Sequence, residues 1–187
     1  MPPKIRITKQ DILNAAVDIV RKEGEAALNA RTLAAALECS TQPIFSNFAT
    51  MDALRLAVVT EADALCNNYI DREVNSGAYP AYKASGIAYI RFAKEEPRLF
   101  KLLYMRNRSD ESGSHNLEIS GQVRSILHQH TGFTGKKAEF FHFEMWAFVH
   151  GIATMLATGF LDLDWPVISR MLSDAYLGIK TQYEEEI

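Results

Sequence analysis

The chain has 187 residues, 48% apolar and 23% charged, a mixture that excludes wholesale disorder and a coiled-coil rod and is long enough to bury a sizeable core. Its net charge of −3, from 20 basic and 23 acidic residues, does not announce a nucleic-acid binder, although residues 1–55 carry 7 basic against 6 acidic groups. Residues 56–187 carry 13 against 17 and include Glu184-Glu185-Glu186. Cys39 and Cys66 make neither a disulfide framework nor a zinc spacing, which predicts a reduced, cytoplasmic setting. The opening MPPKIRITK has no apolar stretch to serve as a signal peptide. Met145–Leu161 is uncharged but too short and too rich in His, Gly and Thr for a membrane span, so a buried core helix is expected there.

The chain reads as helix after helix, with no convincing strand. Thr8, paired with Asp11, predicts the first start; Ile12, Ala15, Ala16, Ile19 and Val20 follow at helical spacing, and Gly24 closes the helix after basic Arg21 and Lys22. Asn29 is the expected cap of a second helix over 31–38, with Leu33, Ala34 and Leu37 inward. After Cys39-Ser40, with Ser40 as the expected cap, comes a compact third helix over 41–48 that tolerates Pro43 in its first turn. Two short helices braced by a longer one predict a helix-turn-helix. Thr50-Met51-Asp52 opens a fourth helix reaching about Asn75. Further helices are expected near 81–95, 97–106, 117–130, 136–160 and 165–184, with 107–116 as a polar loop. The expectation is an all-α fold of about nine helices in two parts, divided near residue 50.

One composite pattern spans some 45 positions: Ile12, Ala15, Ala16 and Gly24, then Arg31-Thr32-Leu33-Ala34, then Ser40, Ile44-Phe45 and Phe48, then Asp52-Ala53-Leu54. It resembles the DNA-binding domain of TetR-family transcriptional regulators. The stretch Trp146–Gly151, with His150-Gly151, resembles a C-terminal regulatory domain of some of these regulators. The resemblance implies a three-helix DNA-binding domain over 1–50 and a helical ligand-binding and dimerisation domain over 51–187. It also implies a ligand-responsive repressor that binds a palindromic operator on double-stranded DNA as a homodimer and is released by a small-molecule effector. Two positions depart from the family's usual residues: Phe45 stands where tyrosine is common and Met51 where lysine is common, and neither can bond a phosphate.

The residues themselves agree with a DNA reader. Thr41, Gln42, Phe45, Ser46 and Asn47 on the third helix are the candidates for the major groove, where Gln and Asn suit adenine and Thr methyls suit the thymine methyl. Arg31, Thr32 and Thr50 sit near helix starts that can hold phosphates. Lys4, Arg6 and Lys9 form a small cationic arm able to reach phosphates or a minor groove.

In the larger part, Tyr69, Phe92, Phe100, Tyr104, His142, Trp146 and His150 are the candidate lining of an effector pocket, although aromatics at helical spacing also build ordinary cores. Phe141, Met145, Phe148, Ile152 and Met155 form an apolar stripe on the eighth helix. Ala147, Gly151, Thr154 and Thr158 form a stripe of small residues beside it. With Met171, Ala175 and Gly178 of the last helix, these are the candidates for a two-fold four-helix interface. His142 and His150, eight apart, are badly spaced for a metal, and no phosphate loop or nucleophile motif appears, so no metal, cofactor or catalytic residue is expected. Two other classes fit a helical chain with an aromatic cavity: a protein-interaction module and a helical enzyme.

Overall fold

In the computed structural model, which describes residues 7–106 and 121–185, helix α1 (Lys9–Glu23) starts where its free amides are met. Thr8 Oγ1 accepts from the Asp11 N–H at 3.1 Å and the Asp11 carboxylate accepts from the Thr8 N–H at 2.8 Å, a reciprocal capping box. Gly24, at a φ of 91° that an L side chain resists, ends it and bonds Val20 O. A single 3-10 turn, Glu25–Ala27, leads into α2 (Ala30–Ala36). Here Asn29 Oδ1 accepts from the Arg31 and Thr32 amides at 3.0 and 3.1 Å, and the Asn29 N–H donates back to Thr32 Oγ1. The helix stops two residues short of the expected Glu38, which takes the left-handed φ of 51°.

Helix α3 (Gln42–Asn47) corrects the expected cap. Ser40 does not cap it; Thr41 holds the N-cap position with helical backbone angles and no capping bond from its hydroxyl. A capping hydroxyl needs an extended backbone and an amide two or three residues on; the Thr41 backbone is helical, and the residue two on is Pro43, which has no N–H. Ile44 and Phe48 are buried, as are Ile12, Ala16, Val20, Leu28 and Leu33 of the preceding elements.

Two compact units result. The first comprises residues up to 65 together with 96–106; the second comprises 66–95 and the chain beyond 106. Helix α4 (Met51–Ser76), capped by Thr50 Oγ1 on the Ala53 amide, contributes residues to both. In the first unit α6 (Pro97–Tyr104) packs on α1: Leu99, Phe100, Leu102 and Leu103 are buried, and Arg21 Nε pairs with Glu96 at 2.8 Å.

The second unit contains α5 (Ala81–Glu95), α7 (Gly121–Thr131), α8 (Gly135–Ala157) and α9 (Trp165–Glu185). Tyr82 bonds His142 and Tyr89 bonds His150, so α5 and α8 run parallel; Tyr82 meets Tyr176 and Lys83 meets Ser173, so α9 runs against them. The α8 stripe that packs inward is Phe141, Met145, Val149, Ile152 and Leu156, while the expected Phe148 and Met155 are only half-buried. At about 100° per residue the five inward positions share an arc of about 80°, and Phe148 and Met155 fall about 20° and 40° outside it. Among the described residues there are nine α-helices and no strand. None of these helices is long and apolar enough to cross a membrane. The expected start of the seventh helix, residue 117, lies outside the described residues.

Candidate functional site

The first unit gathers the nucleic-acid candidates around α2 and α3. Lys4 and Arg6 lie outside the described residues. Arg31 and Thr32 are exposed at the head of α2, where the Thr32 hydroxyl is engaged in the cap and donates to Ala27 O at 2.7 Å. On α3, Gln42, Phe45 and Ser46 are exposed, while Thr41 and Asn47 are half-buried. Helical spacing puts Gln42, Phe45 and Ser46 on one side, opposite the buried Ile44. Ser46 Oγ donates to Gln42 O at 2.9 Å, and Asn47 Nδ2 donates to Pro43 O at 2.8 Å. Lys9 Nζ stands 5.0 Å over the Phe48 ring, and exposed Thr50 heads α4. The side thus presents a carboxamide, a phenyl ring and a hydroxyl.

In the second unit the polar groups concentrate on the α5–α8 seam. The Tyr82 hydroxyl and His142 Nδ1 share a hydrogen bond of 2.9 Å; the Tyr89 hydroxyl and His150 Nδ1 share one of 3.0 Å. Trp146 stacks on His150 at 4.7 Å between centroids and 18°, and exposed Phe143 continues the stack at 6.3 Å. Burial pushes the His142 imidazole down to about 4 and lowers His150 as well, and it raises the Tyr82 hydroxyl. Burial thus favours the neutral form of both imidazoles. Tyr82 and Tyr89 are absent from the sequence-derived site. Their spacing of seven on α5, matching the histidine spacing of eight on α8, is the signal that would have found them.

The seven pocket candidates do not gather in one unit. Phe100 and Tyr104, 5.1 Å apart, belong to α6 in the first unit. The other five are in the second unit, with Tyr69 edge-on to Phe92 at 5.6 Å and His142, Trp146 and His150 on the seam. Phe92 and Phe100 have no exposed surface. A cleft of about 240 Å³ lies beside Tyr69, lined also by Arg72, Glu73, Arg91 and Glu95. Arg91 pairs with Glu73 at 3.3 Å and with Glu95 at 3.8 Å, and the Arg72 guanidinium stands 4.8 Å over the Tyr69 ring. Among the described residues no group of His, Cys, Asp or Glu could hold a metal ion.

Of the interface candidates, Ala147, Thr158 and Gly178 are exposed, Gly151, Thr154, Met171 and Ala175 half-buried. Ala175 also packs against the core built on Tyr82, Phe133 and Phe141. Phe140 and Phe143, both exposed, extend the α8 stripe along the same face, and Val167 and Leu177 are exposed on α9. These large apolar side chains were not part of the sequence-derived set.

Comparison with known proteins gives three findings. Residues 82–174 match the family of tetracyclin repressor-like C-terminal domains. The fold is shared along nearly its whole length with a protein of unknown function from Rhodococcus sp. RHA1, at TM-score 0.73 and 19% identity, covering 97% of this chain and 98% of that one. It is also shared with a TetR-like transcriptional regulator from Rhodococcus sp. RHA1, at TM-score 0.59 and 14% identity, covering 100% and 97%. No curated protein matches the chain.

Proposed function

From the premise that the chain belongs to the TetR family of transcriptional regulators, we propose a repressor that binds a palindromic operator as a homodimer and is released by a small-molecule effector. The observation that carries the DNA-binding reading is the exposed side of α3 in a helix-turn-helix, with Gln42, Phe45 and Ser46 turned outward. The second helix of such a motif lies in the major groove with its exposed side chains against base edges. Arg31 at the head of α2 and the Thr50 end of α4 supply phosphate contacts that set the register. Residues 1–50 carry this reading; residues 51–187 carry effector binding and dimerisation.

The homodimer reading is supported by the α8 face on which Phe140, Phe143, Ala147 and Thr158 are exposed and Gly151 and Thr154 half-buried, with exposed Gly178 and half-buried Met171 on α9. A two-fold axis through that face doubles the recognition helix, as a palindrome requires. The effector reading draws on the seam, where Trp146 and His150 offer an aromatic wall with a few polar groups, the usual make-up of a small-molecule site. Release follows by population shift, driven only by the difference in effector affinity between the two states of the dimer. The setting that fits is a reducing cytoplasm, since neither Cys39 nor Cys66 forms a disulfide.

The test is selection from a pool of random duplexes by the purified protein across a range of salt concentrations. Enrichment of one palindromic site, with affinity falling steeply as salt rises, is the expected result. No enrichment at low salt by a folded dimer would overturn the reading in favour of a protein-interaction module.

A further inference from the structure

We propose that Phe45 is a base-reading residue: its ring contacts the C5-methyl group of a thymine in the major groove and selects thymine at one position of each half-site. The inference rests on the DNA-binding reading above and deepens it. A single exposed aromatic on a protein surface is common and means little alone. Here its surroundings decide. Phe45, 48% exposed, stands between Gln42 and Ser46 on the outward side of α3. The inward side is filled by Ile44, and Phe48 closes the end of the helix in the core, so the interior does not need the Phe45 ring. The polar side chains that follow are engaged with their own helix, Ser46 Oγ on Gln42 O and Asn47 Nδ2 on Pro43 O.

That leaves the Gln42 carboxamide as the exposed hydrogen-bonding reader of α3 and Phe45 for what a hydrogen bond cannot read. The apolar landmark of the major groove is the thymine methyl, which phenyl rings contact. With no hydroxyl, Phe45 has nothing to offer a phosphate oxygen, whereas covering a methyl removes apolar surface of both partners from water.

The duplex enriched in the selection is resynthesised with each thymine singly replaced by deoxyuridine, which deletes only the methyl group. The wild type is expected to lose about fourfold in affinity per half-site at one thymine position, the worth of one buried methyl-sized group. Phe45→Ala is expected to bind the thymine and deoxyuridine duplexes alike while retaining its helical circular dichroism. Phe45→Gln gives the same readout should alanine disturb α3. Indifference of the wild type to every deoxyuridine, or an equal loss in the variants, would overturn the proposal and leave the regulator standing. Failure to enrich any duplex would remove DNA binding itself, and this proposal with it.

Discussion

His142 is held neutral by burial, with its proton uptake pushed down to about pH 4 while the unfolded imidazole titrates near 6.5. Between those values the unfolded chain binds a proton that the folded chain refuses, so stability at this site is complete above about pH 6.5 and is lost as the pH falls toward 4. The full loss is on the order of 3 kcal/mol. Urea unfolding of His142→Gln should therefore weaken less between pH 7 and pH 4.5 than wild type does; parallel profiles would show that His142 does not carry the acid sensitivity. At this scale the sequence exposes only half of each contact. Both histidines stand out by their place on an aromatic helix, but Tyr82 lies 60 positions from His142 and only packing brings them to 2.9 Å.

At the scale of elements, the last turn of α1 leaves backbone carbonyls without helical partners. Arg98 of α6 supplies donors to two of them, Arg21 O and Lys22 O, while Arg21 pairs with Glu96, whose side chain is 14% exposed. This α1–α6 contact explains why residues 96–106 fall in the first compact unit although they follow α5 in the chain. Arg98→Ala should cost about 1 kcal/mol of stability. It should also speed amide hydrogen exchange in α6 and the end of α1 while leaving α8 unchanged. Unaltered exchange in α6 would show that the arginine does not hold it there. The helix itself was legible, since Pro97 marks its start and an apolar run follows. Its partner was not, because nothing within α6 names α1 as the surface that covers it.

At the scale of the whole molecule, the outward face of α8 is the surface on which the proposed homodimer rests. Phe140 is 53% and Leu177 61% exposed, and placing such side chains in water is offset when a second copy covers them. Ala147→Glu, at the middle of the stripe, should halve the mass measured by sedimentation and weaken operator binding, because one recognition helix then reads one half-site. An unchanged mass would move the interface elsewhere, and a monomeric wild type would end the homodimer reading.

Most helix positions, the Thr8–Asp11 pair, the Asn29 cap and the Gly24 stop were determined by the sequence alone; on α3 the exposure of Gln42 and Ser46 was too, whereas Thr41 and Asn47, expected beside them, are half-buried. Each depends on chemistry within about four residues: a hydroxyl reaching an amide one turn on, a glycine accepting a positive φ, an apolar repeat near 3.6. The tertiary structure decided the rest. It joined Tyr82 and Tyr89 to the two histidines, chose Val149 over Phe148 for the core, and attached α6 to α1. It also left Phe140 and Phe143 outside. These outcomes turn on which helix faces compete for the same partner, and many helix pairs in one chain offer apolar faces of similar width. Only the packing that buries the most apolar surface at once, and pairs the Tyr82 and Tyr89 hydroxyls with the two imidazoles, selects among them.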